Sequence, residues 1–163
     1  IVFSTNKYSL PDLAGLYNLA DCTINISDAE GFGLATLESL ACETPIIINK
    51  TGGLQQQISD GEIEFGVGIT PASKAIIGSQ EVPYIYEDRV SKEDFIAALY
   101  NVYNMSAKEA KDIGQKAREF VLKEHNFEQY CSGWDKIMSD IHEKYGSWET
   151  RKNYKSWSLK ELT

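Results

Sequence analysis

Glu30 and Glu38 stand with seven residues between them in the stretch Ser27-Asp-Ala-Glu-Gly-Phe-Gly-Leu-Ala-Thr-Leu-Glu38, where carboxylates, glycines and the start of a helical repeat converge. Gly31 and Gly33 carry no side chain, so a ligand can approach the main chain closely there. From Leu34 onward, Leu37, Leu40 and Ala41 recur at helical spacing. A strand, a glycine loop and a helix start in that order form an anion seat. The first N–H groups of a helix have no intrahelical partners, and the helix dipole adds a partial positive charge. The chemistry on offer is a phosphate seat flanked by two acids. Two other uses of the acids stay open. Asp28 and Glu30 are hard oxygen ligands that can hold Mg²⁺ against a diphosphate. A pair of carboxylates is also the apparatus of glycoside hydrolysis, although that leaves the glycine loop unexplained. The plain readings are an exposed helix residue for Glu38, a solvated, turn-shaping acid for Glu30 and a turn glycine for Gly33.

The flanking sequence supplies the elements that would position these groups. Cys22-Thr-Ile-Asn-Ile reads as a strand before the loop, and Pro45-Ile-Ile-Ile-Asn as a strand after a helix over residues 34–42. A continuous apolar strand suits a parallel sheet covered on both faces. Ile1-Val-Phe-Ser reads as an earlier strand, followed by a helix capped by Ser9, with Pro11 in its first turn and Leu13, Leu16, Tyr17 and Ala20 on one face. The resulting β-α-β-α-β order predicts an α/β fold, a Rossmann-like doubly wound parallel sheet with ligands outside the carboxyl ends of its strands. Thr51-Gly-Gly-Leu is a second glycine loop at the next strand end, facing the same crevice. Gln55–59 reads as one helical turn, Asp60-Gly61 as a turn and Gly66-Val-Gly-Ile-Thr as a last short strand.

Residues 72–90 resist assignment, because glycine and proline interrupt the apolar runs Ile76-Ile77-Gly78 and Val82-Pro-Tyr-Ile-Tyr86. A long segment of that kind is either functional or a surface insertion packed on its own aromatics. Three C-terminal helices follow, opened by Ser91-Lys-Glu-Asp, by the capping box Ser106-Ala-Lys-Glu109 and by Asn126-Phe-Glu-Gln129. The first presents Phe95, Leu99, Val102 and Tyr103 to the core, and the third presents Tyr130, Trp134, Ile137, Met138 and Ile141. Residues 1–144 are expected to form one domain, and residues 145–163 a polar tail.

Composition narrows the function further. A chain of 163 residues can bury roughly 70% of its unfolded surface without a metal or disulfide staple. The net charge of −8 excludes a nucleic-acid surface, which needs clustered Lys and Arg. The one basic cluster, Arg151, Lys152, Lys155 and Lys160, lies in the tail. Cys22, Cys42 and Cys131 are odd in number and lack metal-ligand spacing, so reduced thiols in a cytoplasmic protein are expected. No apolar run approaches the ~20 residues of a transmembrane segment. His125 and His142 lie far along the chain from the loop and read as surface residues.

Taken in order, Tyr17-Asn-Leu-Ala-Asp21, Ser27…Glu30-Gly-Phe-Gly-Leu…Leu37-Glu38, Pro45-Ile-Ile, Gly52-Gly53 and Asp60-Gly61 resemble the C-terminal domain of a retaining GT-B glycosyltransferase of family 4. Two glutamates with seven residues between them are the hallmark of that family. The resemblance runs from Val2 to Ile141, with its specific part in residues 17–61. It implies the C-terminal half of a GT-B fold that binds a nucleotide-diphospho sugar. Glu38 would accept hydrogen bonds from the ribose hydroxyls. Glu30 would be the catalytic acid group beside the donor sugar, in an electrostatic and positioning role rather than as a nucleophile. The main chain at Gly31, Phe32, Gly33 and Leu34 would hold donor oxygens, with Asn6, Gly52 and Gly53 as further donor or base contacts. No metal and no other cofactor is implied. An epimerase or phosphorylase of similar fold would not be expected to carry the Glu-Gly-Phe-Gly-Leu series.

Three departures accompany the resemblance. Gln56 stands where many members have glutamate, and residues 72–90 are longer than in many members, bringing Tyr84 and Tyr86 near the site or the acceptor. The family's basic pair for the pyrophosphate and its acceptor-binding N-terminal domain have no counterpart here and are expected upstream of Ile1. Lys7 and Lys50 are nearby cations that read mainly as solvated. The expected function is donor binding for sugar transfer to an unknown acceptor, the alternative being a nucleotide or nucleotide-sugar binding module with no activity of its own. Peripheral contact with a membrane surface, in the full-length enzyme, is the only membrane association this reading leaves room for.

Overall fold

The structure, a computed structural model, describes residue 5 and residues 7–152. The expected first strand, and Asn6 with it, lie outside the described residues. So do Lys155 and Lys160 of the tail. Two compact units are present, Ile1–Glu124 and His125–Thr163.

In the first unit the chain runs α1 (Leu10–Leu19), β1 (Thr23–Asn25), α2 (Leu34–Ala41), β2 (Ile46–Asn49), α3 (Leu54–Gln57) and β3 (Gly66–Ile69). Then come β4 (Ser73–Ile77), β5 (Ile85–Arg89), α4 (Lys92–Tyr103) and α5 (Ala107–Glu124). Strands β1, β2 and β3 form a parallel sheet in that order, with Ile24 opposite Ile47 and Ile47 opposite Val67. The α/β class and the parallel sheet are as expected.

Alternation along β2 explains why it is apolar throughout. Ile46 and Ile48 point to one face, where Leu40, Leu54, Ile58, Phe65 and Ala117 close a core edged by Ile113, Phe120 and Val121 of α5. Ile47 points to the other face, with Ile69 and Ala98 and the partly buried Phe95 and Val102 of α4. A strand covered on both sides buries every residue, and β2 does. Phe65 and Phe120 pack with ring centroids 5.0 Å apart.

The helix starts follow their capping residues. Ser9 Oγ accepts from Asp12 N–H, Ser91 Oγ from Asp94 N–H, and Ser106 with Glu109 forms the reciprocal box at 3.2 and 2.8 Å. Hydrogen bonds to the carboxylate from the Ser106 hydroxyl, at 2.6 Å, and then from the Ser106 N–H hold the Glu109 carboxyl below its ordinary range. Gly114 of α5 lies against the Glu43 carbonyl that follows α2, leaving no room for a side chain.

One open assignment is resolved, and two expectations need correction. Residues 72–90, which the sequence leaves between a functional loop and a surface insertion, contain an antiparallel hairpin of β4 and β5, with Ile77 opposite Ile85. In α4, Ala98 replaces Leu99 and Tyr103 in the core. Leu99 is 39% exposed and Tyr103 84%, because the helix lies close to the sheet through its small residue. The second unit contains α6 (Phe127–Tyr145), capped by Asn126 Oδ1 on Gln129 N–H. Its stripe of Tyr130, Trp134, Ile137, Met138 and Ile141 is exposed rather than buried. Helical spacing identifies an amphipathic face, not what covers it, and no other helix or strand is described in that unit.

Candidate functional site

Residues 26–33 leave the carboxyl end of β1 and deliver the chain to the start of α2. Gly33 occupies the N-cap position in the left-handed region (φ 92°, ψ 59°), and no side chain caps the helix. The N–H groups of Leu34 and Ala35 therefore have no partner within the helix, whereas Thr36 N–H donates to Gly33 O at 3.1 Å. A Cβ at Gly33 would run into Leu54 Cδ2 and stand 3.1 Å from Gln57 Oε1, so space as well as conformation demands glycine. Gly31 has open space beside it, and Phe32 and Leu34 are exposed at 49% and 68%. The lip of the helix start is thus accessible.

The second glycine loop carries the first. Gly52, at φ 46°, lies under the Glu30 carbonyl, and Gly53 lies against Gly31 O and Phe32 Cα. Gly53 N–H donates to Glu30 O at 3.1 Å. The two strand-end loops, expected to face one crevice, are in direct main-chain contact. Gly52 and Gly53 thus sit against Glu30, Gly31 and Phe32, and the contact is between main chains.

Glu30 is half-buried, and Glu38 is exposed on α2, one helical turn in. The Tyr17 hydroxyl donates to Glu38 Oε2 at 2.9 Å, which orients the carboxylate and ties α1 to α2. Burial, then the hydrogen bond to Glu38, pushes the Tyr17 phenol up to about 12, so it stays a donor at neutral pH. Burial also pushes the Cys22 thiol up to about 11 and raises the Cys42 thiol, which makes both poor nucleophiles.

Asp28 is engaged by the Arg89 guanidinium, which also holds Glu87. Among the described residues no group of three or more His, Cys, Asp or Glu is arranged to hold a metal ion. Lys50, read as solvated, is paired instead with Glu64 at 2.5 Å. Lys7 is exposed, and so is Gln56.

Two residues under the loop went unnoticed in the sequence. Gln57, 2% exposed, donates from Nε2 to Phe32 O, while its Oε1 has no hydrogen-bond partner. Asn49, fully buried, donates from Nδ2 to Ser27 O and to Asp88 O, both at 3.0 Å, with its Oδ1 likewise unpartnered. A polar residue closing the apolar run Ile46-Ile-Ile was a readable signal for Asn49. Nothing in Gln55-Gln56-Gln57 marks which glutamine turns inward.

Near this point a shallow cavity of about 370 Å³ is lined by Lys50, Gln55, Pro71, Ser73, Lys74 and Asp88, beside the second glycine loop. A larger one, about 630 Å³, lies between the turn at Ser59–63 and α5, with Asp60, Lys116 and Phe120 in its wall. That turn precedes β3, so this cavity sits at the opposite end of the sheet from Glu30.

Comparison with known proteins bears on this geometry. D-inositol 3-phosphate glycosyltransferase of Arthrobacter sp. (strain FB24) is 34% identical over 92 residues, 55% of this chain and 21% of the relative. The protein of the same name from Thermomonospora curvata is 46% identical over 52 residues, 32% of this chain and 12% of the relative. N-acetyl-alpha-D-glucosaminyl L-malate synthase of Bacillus anthracis is 24% identical over 132 residues, 80% of this chain and 29% of the relative. The chain therefore spans about a fifth of the length of the first of these. The family model described as Glycosyl transferases group 1 matches residues 2–120, and with the Glu30–Glu38 loop at the carboxyl end of β1 the chain belongs to the group 1 glycosyltransferases.

Proposed function

We propose that this chain is the donor-binding part of a retaining glycosyltransferase that uses a nucleotide-diphospho sugar. The donor-binding domain covers residues 1–144, with 145–163 as its tail, and the acceptor is held by a domain outside these residues. The observation that carries the reading is the pairing of Glu30 and Glu38 across an uncapped helix start, in a chain of this family.

In this reading the pyrophosphate lies against the main chain at Gly31, Phe32, Gly33 and Leu34, where N–H groups and the helix dipole favour negative charge. Glu38, oriented by Tyr17, accepts hydrogen bonds from two ribose hydroxyls, each worth ~1.5–3 kcal/mol to a charged acceptor. Glu30 stands beside the sugar. Gly52 and Gly53 complete the floor. The bond between the anomeric carbon and the diphosphate oxygen breaks as an acceptor hydroxyl adds from the same face, its proton passing to the departing diphosphate. Fixed dipoles aimed at the growing diphosphate charge lower the barrier. No metal enters this scheme. Alone, the chain binds the donor without turning it over. The names of its relatives suggest small anionic acceptors, an inositol phosphate or a hydroxydicarboxylate.

The test is a pair of substitutions in the full-length enzyme. Glu38→Ala weakens nucleoside diphosphate binding roughly 10–100-fold, the loss of one or two charged hydrogen bonds. Glu30→Ala lowers turnover while leaving that affinity nearly intact. Equal losses of nucleoside diphosphate affinity in both variants would contradict the division of roles.

A further inference from the structure

The hairpin β4–β5 lies outside the expected β-α-β-α-β order, yet its carboxyl end is bonded to the loop that bears Glu30. Asp88 is the hub. Its N–H donates to Asp28 O at 2.7 Å, and its carbonyl accepts from Asn49 Nδ2 at 3.0 Å. Its carboxylate accepts from Thr51 Oγ1 at 2.8 Å, with Lys74 Nζ 3.5 Å away. Asn49 and Thr51 are 0% and 3% exposed, and the Asp88 side chain 18%. The same Asn49 amide holds Ser27 O. Two residues beyond Asp28, Glu30 O is held by Gly53 N–H. The segment from Ser27 to Glu30 is thus pinned at the Ser27, Asp28 and Glu30 carbonyls. The Arg89–Asp28 ion pair adds direction but little energy, since both side chains are about 40% exposed.

We propose that Asp88 is a positioning residue for the donor sugar: its carboxylate fixes the Thr51 hydroxyl, which also lies 3.5 Å from Asp28 O, and so sets where the Glu30 carboxylate stands. This rests on the donor-site reading of Glu30. No proton or group moves through Asp88. Its effect comes from geometry, and a misplacement of about 1 Å in such a group can cost on the order of 10²-fold.

Calorimetry on the 163-residue chain tests it without needing an acceptor. The probes are UDP, GDP and ADP, each paired with its sugar conjugate: UDP-glucose and UDP-N-acetylglucosamine, GDP-mannose and ADP-glucose. Asp88→Ala is expected to weaken the sugar conjugate about 10-fold while leaving its nucleoside diphosphate within about threefold, because only the sugar contact depends on Glu30. In a Glu30→Ala background, Asp88→Ala is expected to cost nothing further. Asp88→Asn keeps an oxygen acceptor for Thr51 and is expected to retain wild-type affinity. Thr51→Val, which removes the donor from the other side, repeats the loss should Asp88→Ala not fold. If Glu30→Ala weakens the conjugate but Asp88→Ala and Thr51→Val do not, the positioning role is wrong and the donor site stands. Additive losses in the double variant, or an Asp88→Asn as weak as Asp88→Ala, also overturn it. If Glu30→Ala leaves the conjugate's affinity unchanged, the donor-site reading fails and the proposal falls with it.

Discussion

Tyr17 joins α1 to Glu38, and its chemistry can be read out by pH. A phenol whose folded value is about 12, against 10.0 when unfolded, holds its proton more tightly in the folded chain. Its contribution to stability is complete below pH 10 and disappears as pH rises from 10 to 12. Urea unfolding across that window will show a fall in stability that is smaller in Tyr17→Phe than in the parent. Cys22, raised from 9.0 to about 11 by burial, loses its contribution over a lower window and is unaffected by that substitution. The same burial makes Cys22 slow toward iodoacetamide, whereas Cys131, exposed on α6, reacts first. Mass spectrometry of a timed alkylation checks the order. At this scale the glycine loops and the helix start between the two glutamates were legible, because residue types and spacing are local signals. Gln57 was not, and Asn49 only as the polar residue that closes an apolar run. Their importance comes from which way a buried amide points, and that depends on the hairpin and loop packed over them.

Among elements, the contact that matters most is loop against loop. Gly52→Ala places a Cβ into the Glu30 carbonyl at a backbone angle that side chains avoid. It is expected to cost about 1–3 kcal/mol in unfolding free energy and to weaken nucleotide binding, measured by urea titration and calorimetry. Gly114→Ala drives α5 away from the Glu43 carbonyl, with a similar expected cost of about 1–3 kcal/mol but nucleotide affinity unchanged. The parallel strands and every capped helix start could be read from the chain, since apolar runs and Ser and Asn caps are local signals. The hairpin could not. Its strands pair across residues 78–84, which contain Gly78 and Tyr84 at positive φ, rather than across the two-residue turn that announces a hairpin. Helical periodicity likewise gave α6 its extent but could not tell that its apolar face is left open.

For the molecule as a whole, the sheet brings the carboxyl ends of β1 and β2 together, and with them both glycine loops, Glu30 and the start of α2. The hairpin closes over the same end. No described helix is long and apolar enough to cross a membrane. The surrounding charge is negative, −8 over the chain, so an anionic donor would have to be held by local N–H groups against the average field. On the donor-site reading proposed above, the N–H groups at the start of α2 are the main attraction for the diphosphate, and weak affinity is expected. The most direct test of the donor-site account is therefore calorimetric titration of the 163-residue chain with UDP, GDP and ADP. The account predicts that one of the three binds at up to millimolar concentration, and that Glu38→Ala weakens it roughly 10–100-fold. Absence of binding by all three at millimolar nucleotide, or binding that Glu38→Ala leaves untouched, would contradict it.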